Sequence, residues 1–188
     1  MGDITAAKQM NLAIEKGSIV VFDRGYIDYL WWRELDERGC WFVSRTRSNQ
    51  NIFCIGQHKK ELEPNILADE VVIFGAYDAK EKYPNKLRRV RYYDEEKQKE
   101  YTYLTNNFTL KASQIAQIYK ERWQIEIFFK WIKQHLKIKT FLGTSKNAVL
   151  TQIWVAMIYY LLLSYIKFQT KFKKSLLELT RMIRETIL

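Results

Sequence analysis

The sequence predicts a mixed α/β (α+β) fold, and three features carry that reading. The opening alternates helix, apolar strand and helix, residues 40–105 hold five short strand candidates, and residues 106–188 are dominated by helical periodicity. Three stretches follow: a partial α/β core over 1–39, a β-rich block over 40–105 and a closing set of helices over 106–188.

Asp3 can cap a first helix running to about Lys16, with Ala6, Met10, Ala13 and Ile14 on its inner face and Gly17 as its stop. "SIVVF", Ser18 to Phe22, is an apolar run rich in β-branched residues, as expected of a strand buried on both faces. It ends at "DRGY", Asp23 to Tyr26. A second helix is predicted from about Ile27 to Arg38, closed by Gly39. "WFVSRT", "NIFCIG", "EVVIFGAY", "LRRVRYY" and "EYTYLT" then read as strands, with "DEEK", Asp94 to Lys97, as a hairpin tip. One long helix is predicted from about Ala112 to Leu136. "LGTSKN" interrupts the pattern, Ser145 can cap a helix over about Lys146 to Phe168, and a basic amphipathic helix follows from Lys174 to Ile187.

Of the 188 residues 47% are hydrophobic and 15% aromatic, a composition that folds. Lys and Arg outnumber Asp and Glu by 31 to 21, which favours polyanionic partners, chiefly nucleic acid. Cys40 and Cys54 are too few for a disulfide framework and each lies in a strand-like run, so both read as buried thiols in a reducing compartment. The first ten residues lack the basic flank and apolar run of a signal peptide. Ala148 to Ile166 is long enough to span a membrane, but Thr151, Gln152 and Ser164 interrupt it and its tyrosines fall mid-span. It is expected as a helix sandwiched inside the protein. The sequence has no Gly-rich phosphate loop, and His58 and His135 lack zinc-ligand spacing.

The most informative stretch is "IYKERWQIEIFFKWIKQHLK", Ile118 to Lys137. On one continuous helix Tyr119, Arg122, Glu126 and Lys133 share an arc of roughly 60°, at about 100° per residue. Apolar side chains occupy nearly every other side, which places the polar stripe along a cleft. A helix surface with ordinary Arg–Glu pairing would show the same spacing in bulk solvent. Phosphodiester chemistry suits the stripe. Glu126 can ligate Mg²⁺, Arg122 offers a planar fork to a phosphate, and Tyr119 offers a hydroxyl or a stacking face. Lys133 lies about 10 Å along the axis from Glu126, too far to share a metal, so a phosphate further along a strand is its better partner.

Tyr119, Arg122, Glu126 and Lys133 match, without gaps, the Y-(2)-R-(3)-E-(6)-K signature of a group of bacterial insertion-sequence DDE transposases, and the chain resembles that family. The surrounding "IYKERWQIEIFFKWIKQHLKIKTFLGTS" is similar to it, as are "SIVVFDRGYIDY", the segment with the family's second catalytic aspartate, and "YLTNNF", the lead-in to the glutamate helix. The resemblance implies a ribonuclease H-like catalytic core with an inserted β-rich subdomain. It implies two aspartates and a glutamate holding two divalent ions, Mg²⁺ or Mn²⁺, for DNA strand cleavage and strand transfer. Asp23 and Glu126 would then be catalytic metal ligands, Tyr119 and Arg122 would hold DNA backbone, and Lys133 would contact phosphate. The implied partners are double-stranded DNA, as insertion-sequence ends and target, and a second copy of the chain. The implied setting is the bacterial cytoplasm and its nucleoid, with no membrane.

The family's first aspartate lies on a strand well before the second, whereas the 22 residues ahead of Asp23 hold one helix and the Ser18–Phe22 strand that leads into Asp23 itself. Asp3 fits a cap there, and Asp28 and Asp36 come too late in order. The expectation is therefore the C-terminal part of a transposase catalytic domain, lacking its N-terminal strands and first metal ligand. Cleavage by this polypeptide alone should be weak or absent. The alternative is a non-catalytic DNA-binding remnant that interferes with intact transposase.

Overall fold

The computed structural model describes Thr5, Lys8, residues 14–46, residues 50–135, Gly143 and residues 145–187. The expected first helix lies almost wholly outside the described residues, as does Leu136. The described strands are β1 (Ile19–Phe22), β2 (Trp41–Arg45), β3 (Ile52–Gln57), β4 (Ile66–Phe74), β5 (Leu87–Asp94) and β6 (Lys99–Thr105). The described helices are α1 (Tyr29–Glu37), α2 (Tyr77–Lys82), α3 (Ala112–Glu121), α4 (Trp123–His135), α5 (Lys146–Gln169) and α6 (Leu176–Ile187). They divide into two compact units, Met1–Trp123 and Gln124–Leu188. The architecture is mixed α/β, as the element pattern predicts.

In the first unit the strands form one six-stranded sheet in the order β1-β2-β6-β5-β4-β3. β1 runs parallel to β2, with α1 as the connection between them, and the remaining neighbours are antiparallel. Strands of the 40–105 block thus continue the same sheet that β1 begins. Period-two alternation sorts side chains to two cores. Val20, Phe22, Phe42, Val72, Phe74 and Leu104 face α1 and α2, meeting Trp31, Trp32, Leu35 and Ala79. Ile19, Val21, Val43, Ile66, Val90 and Tyr103 face α3. Trp32 and Leu35 are fully buried, and each such side chain contributes about 1.5–3 kcal/mol.

Local chemistry sets the element ends. The Asp28 carboxylate caps α1 by accepting from Trp31 N at 2.9 Å, and Gly39 supplies the positive φ (69°) that ends it. The β5–β6 hairpin turns at residues 95–98, where Asp94 Oδ1 accepts from Lys97 N at 3.1 Å and Gln98 takes a φ of 48°. The expected tip is where the chain turns. Arg88 is completely buried. Its Nε and Nη2 bond the Asp69 carboxylate at 2.7 and 2.8 Å, and its Nη1 reaches the carbonyls of Asn107 and Leu110. The same guanidinium therefore ties β4 and β5 to the loop that leads into α3.

Several expectations need correction. β1 is packed on both faces, Val20 and Phe22 toward one core and Ile19 and Val21 toward the other, but it lies at the sheet edge and only Phe22 is fully buried. Among the described residues no strand covers its outer side. "EVVIFGAY" does not stay extended to Tyr77. The strand begins earlier, at Ile66, and ends at Phe74, where a side chain on Gly75 would collide with the Phe53 ring and the chain turns into α2. Cys40 is buried, but Cys54 is exposed because β3 is the other sheet edge.

In the second unit α4, α5 and α6 pack around Trp131, Ile132, Ala156, Leu163 and Leu179, with Phe128 edge-on to Tyr160 at 4.8 Å. Ser145 caps α5 as expected, its Oγ accepting from Ala148 N at 3.2 Å. Ser175 and Glu178 close a reciprocal box at the start of α6, with bonds of 2.9 and 3.2 Å. α5 is long and apolar enough to cross a membrane by length and composition alone. The expectation that it is sandwiched inside the protein does not hold. Ala156 and Leu163 are buried on the side facing α4 and α6, while Trp154, Leu161, Tyr165 and Phe168 are more than half exposed.

Candidate functional site

The candidate site is built at the ends of two elements of the first unit. β1 delivers Asp23 immediately after Phe22, and Asp23 then starts a short 3₁₀ turn, Arg24–Tyr26. Its Oδ1 accepts from Arg24 N at 2.5 Å. The position matches the rule that functional groups of α/β sheets gather beyond strand C-termini.

α3 delivers the second half. Lys111 N donates to Gln114 Oε1 at 2.9 Å at its start, and Ala112, Ile115, Ala116 and Tyr119 form a buried stripe at i, i+3, i+4 and i+7. That stripe seats α3 on the sheet and fixes Tyr119, whose ring lies 4.9 Å from Tyr103. Burial pushes the Tyr119 hydroxyl pKa up, against the opposing pull of the Arg122 guanidinium, so the phenol is protonated at neutral pH. At Arg122 the backbone N–H bonds Tyr119 O at 3.2 Å, an i→i−3 contact that tightens the last turn and separates α3 from α4. The single helix expected from Ala112 to Leu136 is thus two helices.

Arg122 Nη1 stands 3.4 Å from Asp23 Oδ2. The Arg122 side chain is 14% exposed and that of Asp23 48%. The guanidinium also lies 5.4 Å from the Tyr119 ring centre and 5.6 Å from that of Trp123. Of the five residues singled out from the sequence, the structure brings Asp23, Tyr119 and Arg122 together. Glu126 and Lys133 belong to the second unit, where both are exposed on α4, seven residues and about 10 Å of helix rise apart.

Beside Tyr119 lies a cavity of about 240 Å³ that sequence reasoning missed. Tyr92, Tyr101, Tyr103, Tyr119, Trp123 and Lys97 contribute to its wall. The Tyr101 and Tyr103 rings lie 6.3 Å apart at 5°, and Lys97 Nζ sits 4.7 Å from the Trp123 ring centre. The signal was present: Tyr92 and Tyr101 are cross-strand partners in the hairpin centred on "DEEK", and Tyr103 follows at the same-face spacing.

The donor chemistry at Asp23 fits a hard divalent cation: a half-exposed carboxylate on a fixed strand end supplies one oxygen ligand. Among the described residues, however, no three His, Cys, Asp or Glu side chains gather into a group able to hold a metal. The fit is to part of a coordination shell.

A family model described as the transposase DDE domain matches residues 1–162. The chain is 40% identical over 157 residues to a protein named as transposase y4zB in Sinorhizobium fredii, covering 81% of this chain and 43% of the relative. It is 46% identical over 68 residues, 36% of this chain and 18% of the relative, to a protein named as a transposase for insertion sequence element IS5377 in Geobacillus stearothermophilus. A third relative, named as a transposase for insertion sequence element IS4SA in Synechocystis, is 28% identical over 161 residues, 79% of this chain and 41% of its own length. The chain spans less than half the length of the curated relatives it matches. With Asp23 at a strand end beside Tyr119 and Arg122, and a domain match over residues 1–162, the chain belongs to the DDE transposases of insertion sequences.

Proposed function

We propose that this chain acts in DNA transposition as part of a ribonuclease H-like catalytic domain that cleaves and transfers DNA strands at insertion-sequence ends. The observation that carries the reading is the meeting of Asp23, Arg122 and Tyr119 where β1 and α3 end. In this reading residues 1–39 and 106–188 contribute to the catalytic core and residues 40–105 are its β-rich insertion. Asp23 and Glu126 would hold Mg²⁺ or Mn²⁺, which when bound supplies Lewis-acid stabilisation of the attacking and departing oxygens. The chain's own residues bind and orient the strand. Arg122 grips a backbone phosphate through its planar fork, and the protonated Tyr119 donates a hydrogen bond to a phosphate oxygen. Lys133, two helical turns beyond Glu126, neutralises a phosphate further along. The net charge of +10 favours binding to duplex DNA at element ends and target sites in the bacterial cytoplasm and nucleoid, with no membrane, and pairing of two copies would bring two element ends together.

A second reading is favoured by the absence, among the described residues, of a three-carboxylate group. On it, this polypeptide alone binds DNA without efficient cleavage and interferes with an intact transposase. A nicking assay on supercoiled DNA in Mg²⁺ or Mn²⁺ separates the two. Weak or absent turnover with retained DNA binding is expected of this polypeptide by itself. Robust turnover abolished by Glu126→Gln would overturn the impairment and establish full catalysis. Nicking that persists unchanged in Asp23→Asn and Glu126→Gln would contradict the site assignment itself.

A further inference from the structure

Asp23 is held from two sides. Arg24 N donates to Oδ1, and Arg122 Nη1 stands 3.4 Å from Oδ2, so both carboxylate oxygens already face a donor. The guanidinium occupies ground that a hard cation would need, and two positive charges on one half-exposed carboxylate repel. The partners differ in freedom: the Arg122 side chain is only 14% exposed and is bracketed by the Tyr119 and Trp123 rings, while Asp23 is 48% exposed. Magnitude then decides how the contact behaves. A half-exposed ion pair at this distance is weak, whereas a guanidinium on a phosphate makes a charge-assisted, often bidentate contact. A phosphodiester therefore outcompetes Asp23 for Arg122.

We propose that Arg122 is the resident counter-ion of Asp23, and that a DNA backbone phosphate draws it away, so that phosphate binding and divalent-cation binding at Asp23 reinforce each other. The inference rests on the reading of Asp23 as a cation ligand and Arg122 as a backbone contact. It adds an order to that reading: without DNA the site is self-neutralised and takes cations poorly, and with DNA it opens. By linkage the coupling is reciprocal, so a cation on Asp23 must also raise affinity for the phosphate.

A double-mutant cycle in metal-free buffer tests this on the full chain, by fluorescence anisotropy of a short labelled duplex at fixed salt. Asp23→Asn should tighten duplex binding about two- to five-fold when Arg122 is present, the range of a half-exposed ion pair, and markedly less in the Arg122→Gln background. Arg122→Lys, which keeps the charge, should restore part of the difference. In a parallel Mn²⁺ titration of the DNA-free chain read by water-proton relaxation, Arg122→Gln should bind the ion about two- to five-fold tighter than the unmodified chain, and Asp23→Asn more weakly. An equal effect of Asp23→Asn in both backgrounds, or no change in Mn²⁺ affinity on Arg122→Gln, overturns the coupling and leaves the functional reading standing. Failure of every variant and the parent to bind the duplex sinks both.

Discussion

Arg88 is a charged residue at full burial in the first unit. A fully buried guanidinium is tolerated because the Asp69 carboxylate meets it with two bonds and two loop carbonyls accept from its Nη1. Removing one partner leaves an uncompensated buried charge, so Asp69→Ala or Arg88→Ala is expected to cost about 3–5 kcal/mol in urea unfolding followed by tryptophan fluorescence. Replacing both by apolar residues of similar volume should cost far less, and an additive double mutant would contradict this account of the pair. The sequence hides this residue well. In "LRRVRYY" three arginines are interspersed with apolar residues, and nothing local distinguishes buried Arg88 from Arg89, which pairs half-buried with Glu70, or from Arg91, which pairs at the surface with Glu100. Its fate depends on a partner 19 residues away across the β4–β5 register. Tyr119 and Arg122 stand out in the sequence by their spacing and Asp23 by its place at the end of "SIVVF", and the fold sets the three side by side.

α3 shows how an element can be nearly right in sequence and still differ in the structure. The periodicity over "ASQIAQIYKERWQIEIFF" continues past Arg122, so one long helix is the natural prediction. The bond from Arg122 N to Tyr119 O interrupts the i→i−4 ladder, a local choice that periodicity cannot report. The start of α5, the β5–β6 turn and the Gly39 stop were all readable, because caps and turn residues act locally. The incomplete burial of β1 and the exposure of Cys54 were not readable because an edge strand and a central strand look alike until neighbours are known. α3 holds the site in place through its buried stripe, with Ile115 at its centre and completely buried. Ile115→Ala is expected to destabilise the first unit by about 2–5 kcal/mol, seen as a lower urea midpoint. A loss below about 0.5 kcal/mol, the range of surface substitutions, would show that α3 is not anchored as described.

For the molecule as a whole, charge and composition pointed to a nucleic-acid partner before any residue was placed, and the family match over residues 1–162 agrees with that direction. The division into two units was not legible, since the break falls inside a continuous apolar pattern between Trp123 and Gln124. It separates the signature residues as well: Tyr119 and Arg122 lie in one unit, Glu126 and Lys133 in the other. Duplex DNA is the ligand proposed for each set. The direct test is the salt dependence of duplex binding by the parent chain and by Lys133→Gln and Arg122→Gln, measured at equilibrium over a series of salt concentrations. The account predicts that log affinity falls linearly with log salt, and that each substitution weakens binding and reduces the slope by about 1, the loss of one phosphate contact. No binding at low salt, or an affinity and slope indifferent to both substitutions, would contradict it.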